Sequence, residues 1–290
     1  MSTTATGACS PPSSKPPRKR GDGMNDASGG ERIAKVIAHA GLCSRRDAER
    51  WIEAGRVAVN GRVLTSPAVT VSRADAITVD DKPLPTAPEV RMWRYHKPAG
   101  LVTTHRDPEQ RPTVFQRLPA ELGRVVSVGR LDLTSEGLLL LTNSGALARR
   151  LELPATGWTR RYRVRAYGMV DAKALAALER GVTVDGVRYG PILAQAEPQG
   201  ERTSGLNTWL AVAIKEGKNR ELRRVFEHIG LTVNRLIRIG YGPFQLGNLG
   251  PGQVDEIKGK VLREQLGAAG RDMVPRARAA GAARTVKGRG

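Results

Sequence analysis

The sequence predicts an α+β protein: a small helix-rich module with a hairpin, joined to a larger mixed, mainly antiparallel sheet flanked by helices. Three observations lead there. The length of 290 residues suits about two domains. Between residues 31 and 88, apolar side chains recur at helical spacing and an Asn-Gly turn then joins two short apolar runs. Beyond residue 89, strand-like stretches, one with strict period-2 alternation, are interrupted by short amphipathic helical segments.

Charge narrows the partners. Lys and Arg number 47 against 28 Asp and Glu, a net charge of +19 with a pI near 10.8. An excess that large predicts a polyanion, because cations placed near phosphates release condensed counterions. Ten of those charges fall within residues 89–260, so the excess belongs to the body of the chain and not to its ends alone. No apolar segment approaches the roughly 20 residues needed to span a bilayer, and the N-terminus has no apolar signal region. Neither membrane insertion nor secretion is expected, and nucleic acid is the better reading. Cys9 and Cys43 are too few and too far apart for a disulfide framework or a zinc site, and His39, His96, His105 and His228 show no ligand spacing. A metal-free protein of a reducing cytosol is expected.

In chain order, residues 1–30 are rich in Pro, Ser, Gly and Thr and carry a basic run at Lys15 to Arg20. Too few apolar groups are present to offset the entropy of ordering, so a disordered basic tail is expected. Residues 31–88 form a compact unit. Ile33, Val36, Ile37 and Ala40 mark one helix, a second runs from Arg45 to Ala54 with Ser44 as its N-cap, and Val57 to Val63 is a hairpin around Asn60-Gly61. Thr86-Ala87-Pro88 links this unit to a domain over 89–260.

In that domain Arg91 to Tyr95 begins a strand and His96-Lys97-Pro98-Ala99-Gly100 turns the chain. Val125 to Val128 and Leu138 to Leu141 are apolar strands around a polar crossing that carries Gly129, Arg130, Leu131 and Asp132. Ala146 to Leu153 is a short amphipathic helix. Thr159 to Tyr167 alternates so that Arg161, Arg163 and Arg165 share one face and Tyr162, Val164 and Ala166 the other. Asp171 to Arg180 is a helix, Gly181 to Ile192 is strand material around an Asp185-Gly186 turn, and Asn207 to Lys215 is a further strand. Glu216 to Phe226 enters a cation-rich helix through a glycine turn. Residues 261–290 are read as a helix end and a basic disordered tail.

Asp132 is the pivotal side chain. A loop held between packed strands presents one group to a cleft with little positional freedom, as catalysis requires. By composition alone, an aspartate in a glycine-containing loop is a turn residue that bonds its own backbone.

The length of the surrounding pattern argues for more. Gly129-Arg130-Leu131-Asp132, followed by Thr134, Gly137, Leu138 to Leu141, Thr142 and Asn143, resembles the signature of RNA pseudouridine synthases, in the branch that modifies ribosomal RNA. Residues 91–115 resemble the first motif of that branch, and Glu216 to Phe226 the third. Ser44 to Gly61 resembles the alpha-L RNA-binding module found in a ribosomal small-subunit protein and in tyrosyl-tRNA synthetases. The resemblance implies that Asp132 is the catalytic carboxylate, that Tyr162 stacks on the target base and that Arg223 pairs with the carboxylate. It also implies that Arg130 helps to fill the space left by the base and that Leu236 walls the uracil pocket. Arg45 and Arg46 fall on the RNA face of the module. Read without it, Tyr162 is a core tyrosine and the paired arginines are ordinary exposed helix residues. Lys97 contacts phosphate or serves the turn. Glu221, where many synthases carry glutamine, together with Val233 to Arg238 and Tyr241-Gly242, is closer to the large-subunit synthase B group. Ser144 departs from the family's usual aspartate.

Pseudouridine formation moves the ribose bond from N1 to C5 of one uracil, so no cofactor is expected. The carboxylate acts as nucleophile at C1′ or as the base that opens a glycal route, and sequence leaves both open. The expected protein is a cytoplasmic monomer acting on ribosomal RNA without membrane contact. The rival reading is a non-catalytic RNA-binding or ribosome-assembly factor on the same fold. A nucleoside glycosidase would need a second carboxylate, and the nearest, Glu136, reads as a surface loop residue.

Overall fold

The computed structural model describes residues 30–198, 206–267 and 274. The expected terminal tails, including Cys9 and the Lys15 to Arg20 run, lie outside the described residues.

The N-terminal module begins with strand β1 (Glu31–Arg32) and helices α1 (Ile33–His39) and α2 (Arg45–Glu53). Ser44 caps α2: its hydroxyl accepts from the Asp47 N–H, and the Asp47 carboxylate accepts in return from the Ser44 N–H. Strands β2 (Val57–Val59), β3 (Arg62–Val63), β4 (Thr70–Val71), β5 (Ile77–Val79) and β6 (Lys82–Pro83) follow. Four of them make a sheet in the order β3-β2-β5-β6, while β4 pairs with β1. The β2–β3 turn works because Asn60 and Gly61 both adopt positive φ, 50° and 79°. Ile33, Ile37, Ala48, Ile52 and Val57 are fully buried and close this core.

The larger unit contains strands β7 (Met92–Lys97), β8 (Val126–Val128) and β9 (Ser135–Thr142), helix α3 (Gly145–Glu152), strand β10 (Arg160–Tyr167) and helix α4 (Ala172–Ala177). Then come β11 (Val182–Val184), β12 (Val187–Tyr189), β13 (Ile192–Ala196), β14 (Asn207–Ile214), α5 (Glu221–His228), β15 (Thr232–Tyr241), β16 (Phe244–Gln245), β17 (Val254–Glu256) and α6 (Gly259–Leu266). The main sheet runs β13-β14-β10-β15-β9-β7-β17, with β8 added to β9 and β16 to β15. Among the described residues its pairs are antiparallel except β9–β15.

Both faces of the sheet centre are covered, which explains the four consecutive leucines of β9. Leu139 and Leu141 enter one core, with Tyr162, Val164 and Phe226. Leu138 and Leu140 enter the other, with Met92, Leu147 and Leu262. A strand buried on both faces needs no polar alternation, and each fully buried leucine contributes about 1.5–3 kcal/mol. β10 keeps its alternation because its outer face is open: Arg163 lies 4.6 Å over the Trp209 ring and pairs with Glu197 at 2.5 Å. Glu136, read from sequence as a loop residue, is instead on β9 and forms a two-pronged pair with Arg235, both contacts 2.8 Å.

Candidate active site

Asp132 lies in the loop between β8 and β9, and the backbone of that loop is held at every carbonyl from Leu131 to Ser135. Thr103 Oγ1 donates to Leu131 O across 2.9 Å, and the Ser135 N–H donates to Asp132 O across 3.0 Å. The Gly100 N–H donates to Leu133 O across 2.8 Å, Arg223 Nη2 to Thr134 O across 3.3 Å, and Lys97 Nζ to Ser135 O across 2.8 Å. At the loop's start, the Gly129 N–H donates to Glu152 on α3 across 2.6 Å. Five consecutive satisfied acceptors leave the backbone no alternative set of partners, so the half-buried Asp132 side chain has a fixed origin.

The loop borders a cleft of about 440 Å³ lined by residues of β9, β10, β14, β15 and the start of α5. Arg130, Asp132, Tyr162 and Leu236 all line it. Tyr162, 8% exposed, belongs to the core and to the cleft wall at once. Leu236 is buried in the same wall, two residue pairs along the β10–β15 ladder from the Tyr162 position and so on the same face. Arg130 is at the mouth.

Two expected placements differ. Arg223 makes no ion pair with Asp132 among the described residues. Its Nη1 donates to Val233 O across 2.8 Å and its Nη2 to Thr134 O, so the guanidinium is engaged by backbone carbonyls. Burial, then Arg220, lower its pKa, while the Asp132 charge raises it, so the carboxylate is felt without contact. Lys97 is not on an RNA-facing surface: it has no exposed area, and its ammonium also binds the carbonyls of Pro98 and Leu133. The turn reading of Lys97 holds and the phosphate reading does not, because a phosphate cannot reach a side chain enclosed by the protein. Arg45 and Arg46 lie on the first turn of α2, at the protein surface.

Sequence reasoning missed several groups of the cleft. Arg160 reaches over the Tyr241 ring at 4.9 Å and donates to the carbonyls of Lys215 and Glu216, pinning the loop before α5. In that loop Arg220 adopts φ 51°, and the Lys218 N–H donates to Glu221 across 2.9 Å. Glu221, noted in the sequence only as a family variation, is 3% exposed and lines the cleft. Burial pushes its carboxyl up, partly offset by the Lys218 N–H. Arg238, also in the lining, is 2% exposed. Its spacing, two residues beyond Leu236, would have placed it on that residue's face had the segment been read as a strand.

The arrangement offers one carboxylate on a rigid loop beside an aromatic ring and an apolar wall, with cations around the rim. It suits a flat, neutral ring delivered by an anionic chain.

Comparison with known proteins points the same way. The RNA pseudouridylate synthase family matches residues 91–228, and the S4 domain matches residues 31–77. An uncharacterized RNA pseudouridine synthase of Rickettsia prowazekii (strain Madrid E) is 47% identical, over 81% of this chain and 97% of the relative. Ribosomal large subunit pseudouridine synthase B of Salmonella typhi is 43% identical, over 74% of this chain and 75% of the relative. A crystal structure of a pseudouridylate synthase matches with TM-score 0.56 and 27% identity, covering 81% of this chain and 99% of that one.

Proposed function

Since the chain belongs to the RNA pseudouridine synthase family and carries an S4 RNA-binding domain at its N-terminal end, we propose that it isomerises a uridine of large-subunit ribosomal RNA, with Asp132 as the catalytic carboxylate. The observation that carries this reading is the loop's complete set of carbonyl hydrogen bonds, which commits five partners to fixing one carboxylate at the edge of a cleft. A binding surface for RNA gains nothing from an anion held there.

A base stacked in an RNA helix cannot reach Asp132, so the nucleotide must flip out at a cost of a few kcal/mol. Stacking on Tyr162 returns about 1–3 kcal/mol, Leu236 fills the apolar side, and Arg130 at the mouth helps to occupy the vacated space. Asp132 then attacks C1′ or removes a ribose proton. Arg223 acts by holding the Thr134 carbonyl of the loop and as a cation at longer range. Arg45 and Arg46 bind backbone phosphates and dock the S4 domain. The large-subunit assignment rests on Glu221, the Val233 to Arg238 segment and the likeness to the Salmonella relative.

Incubating the purified protein with unmodified large- and small-subunit ribosomal RNA, then mapping pseudouridines, tests the reading. Modification at one position of the large-subunit RNA is expected. Modification confined to the small-subunit RNA would overturn the substrate assignment.

A further inference from the structure

The roles assigned above leave a buried cation of the cleft unused. Arg238 on β15 stands directly opposite Tyr162 on β10, and opposed residues of an antiparallel pair project from the same face. The guanidinium therefore shares the cleft floor with the ring assigned to the base. Its Nε donates to Leu138 O across 2.7 Å, and its carbon lies 5.3 Å from the centre of the Tyr241 ring. Its Nη2 is buried with no partner, and no carboxylate pairs with it among the described residues. Lys97 lies close enough to be affected: burial pushes that ammonium down to about 8, and the Arg238 charge adds to the push.

Keeping a guanidinium nitrogen out of water with no partner is costly. Where such a cation persists in a site, an anion that forms there during reaction offsets the cost, because a fixed charge needs no reorganisation when it is used.

We propose that Arg238 stabilises the negative charge of the uracil ring as it leaves the ribose. The inference rests on Asp132 being the catalytic carboxylate, but it concerns a different charge. When the N1–C1′ bond breaks, the electron pair stays with the base and spreads over N1 and the two carbonyl oxygens. In the nucleophilic route an Asp132 oxygen takes C1′; in the glycal route Asp132 takes a ribose proton and later returns it. C5 then bonds C1′, which in the first route breaks the Asp132 oxygen–C1′ bond and returns that pair to the carboxylate, and in the second saturates the sugar double bond as Asp132 gives the proton back. The ring supplies the pair for the new bond, and the proton lost from C5 ends on N1. A backbone phosphate is a poorer occupant, since it follows the ribose outward while Arg238 lies on the floor beside Tyr162.

The test is single-turnover reaction of the full-length protein on an RNA hairpin carrying uridine or 5-fluorouridine at the target, with affinity measured in parallel. Fluorine makes the departing base a more stable anion and so replaces part of what the guanidinium supplies. Because fluorine cannot leave C5 as a proton does, the readout is consumption of the N1-linked nucleoside. Arg238→Met is expected to slow uridine about 100- to 1,000-fold at saturating RNA, the range for removing one donor to a developing anion. Affinity should be unchanged, the loss on 5-fluorouridine clearly smaller, and Arg238→Lys intermediate. Equal losses on both substrates would overturn the proposal. So would weaker affinity with the saturated rate preserved, which marks a phosphate contact. If Arg238→Met fails to fold, a folded Arg238→Lys must still show the substrate-dependent difference. An Asp132→Asn protein active with Arg238 intact would instead overturn the reading on which the proposal rests.

Discussion

Lys97 donates to the carbonyl oxygen of Ser135 across 2.8 Å from a position with no exposed surface, which puts an ammonium under the loop that carries Asp132. Burial holds that ammonium down to about 8, from an ordinary 10.5. Between those values the unfolded chain keeps the proton and the folded protein releases it, so the Lys97 contribution makes folding more favourable as pH rises through the window. Urea unfolding of wild type and Lys97→Met from pH 7 to 10.5 should show wild type gaining on the variant with rising pH. A constant gap would mean that Lys97 does not titrate there.

At Gly137 the backbone of β15 leaves no room for a side chain on β9. A Cβ at this position would lie 2.3 Å from the Arg238 carbonyl oxygen, and φ is +99°. Gly137→Ala must part the parallel pair β9–β15, and a loss of about 2–4 kcal/mol is expected from the clash and the backbone strain together. Turnover should fall as well, because β9 carries the loop. Thermal unfolding checks the first outcome, and an unchanged midpoint would contradict the register.

Local features were legible in the sequence; distant ones were not. The Asn60-Gly61 hairpin, the Ser44 cap and the β10 alternation follow from neighbouring residues alone, and each stands in the structure as expected. The strands flanking Asp132 were also readable from their apolar runs. The burial of Lys97 and Arg238 was not, since both cations are held by carbonyls brought from elsewhere in the chain, Ser135 and Leu138. Arg223 shows the same limit: its partners, Val233 and Thr134, depend on how α5 docks against the β9 loop. The 10-residue strand β15 was hidden because register shifts beside Tyr162 and Ala166 break its pairing with β10.

Arg223 bridges the Val233 and Thr134 carbonyls with two separate nitrogens. A lysine cannot reproduce that fork. Arg223→Lys is expected to keep RNA affinity and lower turnover about 10- to 100-fold, as a small displacement of the catalytic loop does. Wild-type turnover in Arg223→Lys would show that the bridge does not position the loop.

Arg45 and Arg46 lie at the surface of α2, in a different domain from Asp132. Replacing both with Ala should weaken RNA binding and flatten its salt dependence, by about 0.7–0.9 in the log–log slope for each phosphate no longer neutralised. The rate on a short hairpin at saturating protein should survive. A lower rate with affinity intact would place the pair in the chemistry and not in docking.

The proposed chemistry rests on the Asp132 carboxylate. Asp132→Asn keeps the shape of the side chain and removes its charge, which also removes one anion from an RNA-binding cleft. Pseudouridine formation and RNA affinity should be measured side by side on the same RNA. The expected result is no detectable pseudouridine with affinity equal to or above wild type; an Asp132→Asn protein that forms pseudouridine at the wild-type rate would show that this carboxylate is structural.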